Sequence, residues 1–211
     1  MIQLYTWSTP NGRKVSIALE ELGLPYAVHP INIGKDEQFG ADFLKIAPNN
    51  KIPAIVDEDS EGGPLPIFES GAILVYLAEK TGKLLAPSGP ARYKTLEWLN
   101  WQMGGLGPML GQLGFFAVRS PEKAPLAIER FTTEAGRLLG VMEKQLLTAS
   151  YLGGSDFSIA DIACYPWTLA ASTFLKEPLK EHLADKPALH RWLDMVGERA
   201  AVQRGMAVPA T

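Results

Sequence analysis

The sequence predicts a small α/β domain with the element order β-α-β-α-β-β-α, followed by a domain made only of helices. Two observations support this prediction: strand and helix signals alternate over residues 1–81, and no convincing strand signal follows residue 92. Between them, Pro and Gly cluster in the segment TGKLLAPSGPAR, residues 81–92. We therefore expect domains at 1–81 and 92–211, joined by a linker over 82–91.

The first two elements meet at a polar turn. Residues 2–6 are typical of a short apolar strand, and residues 11–22 of a helix that Gly23 closes. The helix places these apolar side chains on one face: Val15, Ala18, Leu19 and Leu22. The turn between them, Ser8-Thr9-Pro10-Asn11, contains no Cys, His or carboxylate, so it offers only hydroxyl and amide groups for chemistry.

The rest of the first domain continues the alternation. We expect a strand over residues 26–32 and a short helix over 38–46. Residues 54–57 and 66–68 flank the turn-rich segment DSEGGP, which is typical of a hairpin. Ser70 is a suitable N-cap for a third helix, which ends at Gly82 and has the apolar stripe Ile73, Leu74, Leu77 and Ala78.

The second domain has three clear helix signals. Residues 123–149 repeat apolar side chains at steps of three and four, as an amphipathic helix does. Ser158 and Asp161 resemble a capping box, which favours a structural role for the Asp161 carboxylate. Pro187 suits the first turn of the last helix.

Composition excludes several classes of function. The net charge is −3 and the Lys and Arg residues are dispersed, which argues against a nucleic-acid partner. No apolar run approaches the roughly 18 residues that span a bilayer, and the start MIQLYTW lacks signal-peptide features. The single cysteine, Cys164, fits a reducing compartment, so we expect a cytoplasmic protein without membrane association. The three histidines are far apart in sequence and predict no metal site: His29, His182 and His190.

Two dipeptides are candidates for binding a ligand. A cis bond at Ile52-Pro53 would turn the Ile52 backbone N–H and C=O toward an extended peptide, whereas a trans proline would only begin a strand. At Glu69-Ser70, Ser70 either caps the third helix or binds a carboxylate with the helix N-terminus, while Glu69 holds an ammonium. The residues alone leave both alternatives open in each case.

The element order, the IP before the third strand, the ES before the third helix and the helical second half together resemble the glutathione S-transferase family. The resemblance covers essentially the whole chain. Five segments are similar to the bacterial Nu class: TPNGRKVSIALEE, PNNKIPAIVD, FESGAILVYLAEKTG, WLNWQMGGLGPMLGQ and SIADIACYPW. That class includes glutathione-dependent disulfide-bond reductases. The resemblance implies a thioredoxin-like first domain, glutathione as cofactor in its reduced or disulfide form, and a homodimer.

The resemblance also implies how glutathione is held. Pro53 is expected to be cis, with the Ile52 backbone bonded to the cysteinyl part of glutathione. Glu69 and Ser70 are expected to bind the γ-glutamyl end.

Further binding positions follow by similarity. Gln38 and Lys51 are expected to reach the glycyl end or the peptide. Arg130, in the segment AIERF of the second domain, is expected to approach bound glutathione. Thr9 and Asn11 are expected beside the glutathione sulfur, because residues at these positions lie there in the Nu class.

The donor that stabilises the glutathione thiolate has several candidates. Resemblance to the Nu class favours Thr9 and Asn11. Ser8 is a rival, because it stands two residues before Pro10, where the theta class carries its serine. Tyr5 could act by analogy with tyrosine-type transferases, but it lies within the predicted strand and is expected to pack.

We therefore expect a glutathione-dependent enzyme that reduces disulfides, accompanied by conjugation to electrophiles or by peroxide reduction. The alternative is a non-catalytic glutathione-binding regulatory module. A dithiol oxidoreductase is excluded unless two chains share Cys164, because the chain has one cysteine. Cys164 stands among apolar helix residues and is expected to be a buried small side chain.

Overall fold

The computed structural model describes residues 1–210, which form two compact units. The first unit comprises residues 1–85 and 198–210, and the second comprises Ala86–Gly197. The sequence led us to expect a helical domain that continues to residue 211. In the structure the C-terminal residues belong to the first unit instead, because the last helix packs on the first helix of that unit.

Four strands form the sheet of the first unit: β1 (Ile2–Thr6), β2 (Tyr26–Pro30), β3 (Ala54–Asp57) and β4 (Leu65–Phe68). Their order in the sheet is β2-β1-β3-β4. β1 runs parallel to β2 and antiparallel to β3, and β3 runs antiparallel to β4. The predicted β-α-β-α-β-β-α order and the hairpin are therefore confirmed, although β2 ends two residues earlier than expected.

The α-helices in residues 1–210 are α1 (Pro10–Leu22), α2 (Ala41–Ile46), α3 (Ser70–Thr81), α4 (Gly89–Trp101), α5 (Gly107–Leu113), α6 (Pro125–Leu146), α7 (Ile159–Ser172), α8 (Lys176–Ala184), α9 (Pro187–Gly197) and α10 (Ala200–Met206). The prediction of an α-helix over residues 38–46 is wrong for residues 38–40. Residues 37–39 form a 3₁₀ turn, and Gly40 is extended (φ −61°, ψ 136°), so the α-helix begins only at Ala41.

The core of the first unit lies between the sheet and α1 with α3. The apolar stripes predicted for both helices are buried: Val15, Ala18, Leu19, Leu22, Ile73, Leu74, Leu77 and Ala78. Gly23 and Gly82 end the two helices with φ values of 67° and 66°. This left-handed conformation favours glycine, which explains both stop signals.

The C-terminal helix α10 belongs to the first unit because it packs closely on α1. A Cβ atom on Gly205 would lie 2.5 Å from the Cα of Ile17, so only glycine allows this approach. Ser16 Oγ donates a 2.7 Å hydrogen bond to the Gly205 carbonyl. Two ion pairs also link α10 and its N-cap to α1. Arg199 pairs with Glu21, and Arg204 pairs with Glu20.

The second unit is helical, as predicted. Its longest helix, α6, occupies Pro125–Leu146 of the segment expected over 123–149. Ser158 caps α7, and Asp161 completes the predicted capping box by accepting from the Ser158 backbone N–H at 3.1 Å. Pro187 begins α9, as expected. Over the described residues, no helix has both the length and the apolar character needed to cross a membrane.

Candidate glutathione site

Three segments meet at one end of the sheet of the first unit. Tyr5 of β1 pairs with Ala54 of β3, and Ala54 pairs with Phe68 of β4. The turn after β1, the residues before β3 and the residues after β4 therefore lie at the same end. This topology brings together three groups of candidate residues that the sequence separates widely: 8–11, 51–53 and 69–70.

Thr9 begins the helix that follows the first strand. Its extended backbone (φ −123°, ψ 159°) makes it the N-cap of α1, and its Oγ1 accepts a 3.1 Å hydrogen bond from the Gly12 N–H. Pro10 occupies the first helical position, where a missing N–H costs no hydrogen bond. The Thr9 hydroxyl is thus held at the positive end of the α1 dipole.

Gly12 is a residue of this turn whose role the sequence reasoning missed. A Cβ atom there would collide with the Trp7 carbonyl oxygen and with Thr6 Oγ1, both of which belong to the end of β1 and the turn. Glycine is therefore required for the first turn of α1 to lie this close to the strand. The signal in the sequence is the Gly two residues after a proline at a helix start, but the collision itself is visible only in the structure.

The other donor candidates make different contacts. Ser8 Oγ donates to the Pro209 carbonyl at 3.4 Å, which directs its proton toward the C-terminal segment of the same unit. Tyr5 stacks on the His29 ring with centroids 4.6 Å apart and also contacts Phe43, so it packs as expected. Asn11 is a half-buried residue of the first turn of α1.

The segment before β3 contains the predicted cis bond. The Ile52-Pro53 peptide is cis, as the resemblance implied. Pro53 is buried, Ile52 is half-buried against the cluster formed by Phe43 and its neighbours, and Lys51 is exposed.

Glu69 and Ser70 stand where β4 leads into α3. The N-cap is Glu69, whereas Ser70 is the first helical residue, so the N-cap interpretation of Ser70 is wrong. Glu69 has φ 73° and ψ 112°, a conformation that costs a non-glycine residue about 1–3 kcal/mol. The Glu69 side chain is exposed, and Ser70 is buried at the helix N-terminus. A strained backbone beside a helix N-terminus is typical of a binding site.

Lys14 is a second residue that the sequence reasoning missed. It lies on α1 one turn before Ala18, and only 1% of its surface is exposed. Its Nζ donates to Ser70 Oγ at 3.4 Å. A fully buried lysine in a stripe of apolar residues leaves no signal in a single sequence beyond its position on the buried face.

Two further candidates are Gln38 and Arg130. Gln38 lies in the 3₁₀ turn before α2, where its Nε2 donates to Asp36 Oδ1 at 3.4 Å; its Oε1 is buried and has no partner among residues 1–210. Arg130 is an exposed residue of α6 in the second unit. In residues 1–210 no group of three or more His, Cys, Asp or Glu side chains is arranged to hold a metal ion.

Comparison with known families agrees with this geometry. Residues 9–80 match the N-terminal domain of glutathione S-transferases, and residues 106–200 match the C-terminal domain. The chain belongs to the glutathione S-transferase family. The family assignment confirms the thioredoxin-like fold of the first domain and the helical second domain.

Individual members of the glutathione S-transferase family are similar over almost the whole chain. The disulfide-bond oxidoreductase YfcG of Escherichia coli K12 is 48% identical over 208 residues, covering 98% of this chain and 94% of YfcG. A Pseudomonas fluorescens pf-5 family member with two glutathiones bound has 46% identity and a TM-score of 0.95, covering 99% and 93% of the two chains. A Pseudomonas putida transferase with one glutathione disulfide per subunit has 42% identity and a TM-score of 0.88, covering 99% and 91%.

Proposed function

We propose that this protein is a glutathione-dependent disulfide-bond reductase whose reactive sulfur belongs to glutathione. The similar proteins support this reading, because YfcG is named a disulfide-bond oxidoreductase and the two Pseudomonas proteins hold two glutathiones or one glutathione disulfide. The observation that carries the proposal is the Thr9 hydroxyl, held at the N-terminus of α1 in a turn without cysteine.

The hydrogen bonding of Thr9 leaves its proton available. Oγ1 uses a lone pair to accept from the Gly12 N–H, so the O–H can still donate to a sulfur beside the turn. The Ser8 hydroxyl differs, because it already donates to the Pro209 carbonyl. We therefore assign thiolate stabilisation to Thr9, with Asn11 as a second donor and Ser8 as the weaker rival.

The magnitudes are sufficient for this role. An ordinary cysteine thiol has a pKa of about 8.5, and lowering it by two units requires about 2.7 kcal/mol. A hydrogen bond to a charged group contributes about 1.5–3 kcal/mol. A helix N-terminus adds about 0.3–1 kcal/mol. One hydroxyl at the start of α1 can therefore keep glutathione ionised near neutral pH, where the thiolate is the nucleophile.

The overall reaction consumes glutathione as a substrate. Two glutathiones and a disulfide R–S–S–R′ give glutathione disulfide, RSH and R′SH. The first exchange forms a bond between a glutathione sulfur and R–S, while R′–S leaves and takes a proton from solvent. The second exchange joins the two glutathione sulfurs and releases RSH, so two electrons pass from the glutathiones to the disulfide.

Other residues receive binding roles in this proposal. The Ile52 backbone beside Pro53 pairs with the cysteinyl part of glutathione, and Glu69 with Ser70 binds the γ-glutamyl end. The remaining assignments rest on resemblance: Gln38 and Lys51 at the glycyl end, and Arg130 from the second domain. We also propose a cytoplasmic homodimer, in keeping with the family resemblance and the single cysteine.

A steady-state comparison of two second substrates tests the function. The measured quantity is the enzymatic rate divided by the uncatalysed rate, with glutathione at saturation. We expect this ratio to be much larger for reduction of 2-hydroxyethyl disulfide than for conjugation of 1-chloro-2,4-dinitrobenzene. Conjugation as the faster reaction would contradict the reductase assignment. Glutathione binding without turnover of either compound would favour the regulatory module.

Cys164 provides the matched control for the source of the sulfur. It is completely buried in α7 of the second unit. Cys164→Ala should keep disulfide reduction within about twofold of the original rate, at a loss of about 1 kcal/mol in stability. Loss of reductase activity in a folded Cys164→Ala protein would show that the protein's own thiol takes part.

A further inference from the structure

We propose that the C-terminal segment, residues 207–210, positions the turn that stabilises the glutathione thiolate, with Pro209 as its positioning residue. The segment acts by packing beside Ser8, which keeps the neighbouring Thr9 in place, rather than by touching the sulfur. The inference rests on the proposed function and concerns residues of the first unit only.

Two contacts trace the path of the C-terminal residues along α1. Arg199, the N-cap of α10, pairs with Glu21 near the C-terminal end of α1. Gly205, near the other end of α10, accepts a 2.7 Å hydrogen bond from Ser16 Oγ. The two helices therefore run antiparallel, and the chain that leaves α10 is directed toward the N-terminal end of α1, where the turn lies.

Pro209 ends this path beside the turn. Its carbonyl accepts from Ser8 Oγ at 3.4 Å. Pro209 is buried, whereas Ala207 and Ala210 are exposed, so the segment is anchored at this one residue. Because the hydrogen bond is long, the buried ring contributes more to the anchor than the bond does.

The turn is tightly folded around Ser8. The Thr9 N–H donates to the Trp7 carbonyl at 2.7 Å, which closes a three-residue turn with Ser8 at its centre. The same carbonyl lies against Gly12, where a Cβ atom would collide with it. The turn is therefore limited by Gly12 on the side of α1 and is contacted by Pro209 at Ser8.

A fixed turn matters because thiolate stabilisation depends on the direction of the donor. Hydrogen bonds weaken steeply when the angle at the hydrogen falls below about 120°. A mobile turn would present the Thr9 O–H in several directions, and only part of the population would reach the sulfur. Donors that are held in place before the charge develops avoid this loss. Loss of the segment should therefore raise the pKa of bound glutathione.

Titration of the bound thiol tests the proposal on two shortened chains, one ending at Met206 and one ending at Pro209. The thiolate absorbance of the glutathione complex, followed against pH, gives the pKa. We expect the chain ending at Met206 to raise this pKa by about one pH unit, which is about 1.4 kcal/mol of lost thiolate stabilisation. The chain ending at Pro209 keeps the anchor and should agree with the original protein within about 0.2 pH units.

The pH profile of disulfide reduction separates positioning from general damage. With glutathione at saturation, the chain ending at Met206 should be about five- to tenfold slower below the pKa of the bound thiol, because less of it is thiolate. Well above that pKa, the rates of the shortened and original chains should agree within about twofold. The Kd of S-methylglutathione, which has no ionisable thiol, should also stay within about twofold. An unchanged pKa, equal slowing at every pH, or a tenfold weaker Kd for S-methylglutathione would overturn the proposal.

Pro209→Gly in the full chain decides the matter if the chain ending at Met206 does not fold, as judged by urea unfolding. It removes the buried ring alone and should raise the pKa of bound glutathione by about half a pH unit. Ala210→Gly, at an exposed neighbouring position, is the matched control and should leave this pKa unchanged. An unchanged pKa in folded Pro209→Gly would show that Pro209 does not position the turn. An ordinary thiol pKa for glutathione bound to the original protein would instead overturn the proposed function.

Discussion

The Thr9 hydroxyl caps α1 and, in the proposed mechanism, also donates to the sulfur of glutathione. By accepting from the Gly12 N–H it caps α1, and by keeping its own proton it can serve a sulfur next to the turn. Gly12 makes both possible, because any side chain there would push the first turn of the helix away from the strand. A cysteine in this turn would provide a sulfur, whereas in our proposal Thr9 provides a hydrogen-bond donor to the sulfur of glutathione.

Thr9→Ala should therefore raise the pKa of bound glutathione and lower disulfide reduction by about ten- to a hundredfold, because it removes a hydrogen bond to a charged group. It should also lower the free energy of unfolding by about 1 kcal/mol through loss of the cap. The thiolate absorbance near 240 nm, followed against pH in the complex, measures the pKa change.

Thr9→Ser is the control, because it keeps the hydroxyl and should keep most of the activity. Ser8→Ala should leave the pKa of bound glutathione nearly unchanged, since that hydroxyl donates to Pro209. If only Ser8→Ala raised the pKa, the assignment to Thr9 would be wrong.

At the same scale, the sequence predicted candidate residues but not their contacts. The resemblance indicated Thr9 as a candidate. Its hydrogen bond from the Gly12 N–H depends on the backbone conformation of the turn, which only the structure shows. Lys14 escaped prediction because a charged side chain normally indicates a solvent-facing position, and its tertiary contact with Ser70 is visible only in the structure. Ser70 was misassigned as the N-cap because Glu69 adopts a left-handed φ that serine-based capping rules do not anticipate.

Among the elements, the packing of α10 on α1 depends on a glycine contact. Gly205→Ala would place a Cβ 2.5 Å from Ile17 Cα and 2.6 Å from its backbone N, which helix backbones cannot relieve by a side-chain rotation. We expect a loss of about 1–3 kcal/mol in stability, as for other overpacked contacts, measured by urea unfolding.

Gly140→Ala is the matched control in α6. It is also a helical glycine, but a Cβ there meets no atom within 4 Å apart from its chain neighbours and the backbone of its own helix. Because alanine is the better helix former, this substitution should stabilise the protein by up to about 1 kcal/mol. Equal effects of the two substitutions would show that propensity, rather than the contact with Ile17, governs position 205.

Element boundaries could be predicted where local chemistry decides them. The ends of α1 and α3 follow from Gly23 and Gly82, and the start of α7 follows from its capping box. The sequence grouped the C-terminal residues with the helical domain, whereas α10 packs on α1 of the first unit. Helical periodicity shows that a helix exists, not which helix it packs against. The 3₁₀ turn at 37–39 was missed because Gly40, rather than the preceding polar residues, determines where α2 begins.

For the whole molecule, the order of strands and helices was predictable because hydrophobic periodicity and turn residues agree throughout residues 1–81. Because the element order was predictable, dipeptides such as Ile52-Pro53 could be assigned to positions at one end of the sheet, and these positions supported the family resemblance. Hydrogen-bond networks that join distant parts of the chain were not predictable. The Asp57 network, at the opposite end of β3 from the site, is one of these.

Asp57 is a buried carboxylate held by three donors. Tyr76 Oη donates to its Oδ2 at 2.6 Å, Lys80 Nζ lies 2.6 Å from the same oxygen, and the Asp59 N–H donates to Oδ1 at 2.9 Å. Burial acts to raise the pKa of Asp57, but the donors outweigh it and hold the pKa below its ordinary value. Burial and the neighbouring carboxylate also raise the pKa of Tyr76 to about 12.

The lowered pKa of Asp57 predicts a specific acid sensitivity. Because the folded chain binds this proton less readily than the unfolded chain, the contribution is complete above the unfolded pKa of about 3.9 and is lost as the pH falls through the folded value. Asp57→Asn should therefore lower the free energy of unfolding by about 1–3 kcal/mol at pH 7, with the difference shrinking below about pH 4 in urea titrations. Asp42→Asn, which affects only an exposed pair with Lys45, should change stability little at any pH. A difference for Asp57→Asn that stayed constant from pH 7 to pH 3 would contradict a depressed pKa and would assign the loss to packing.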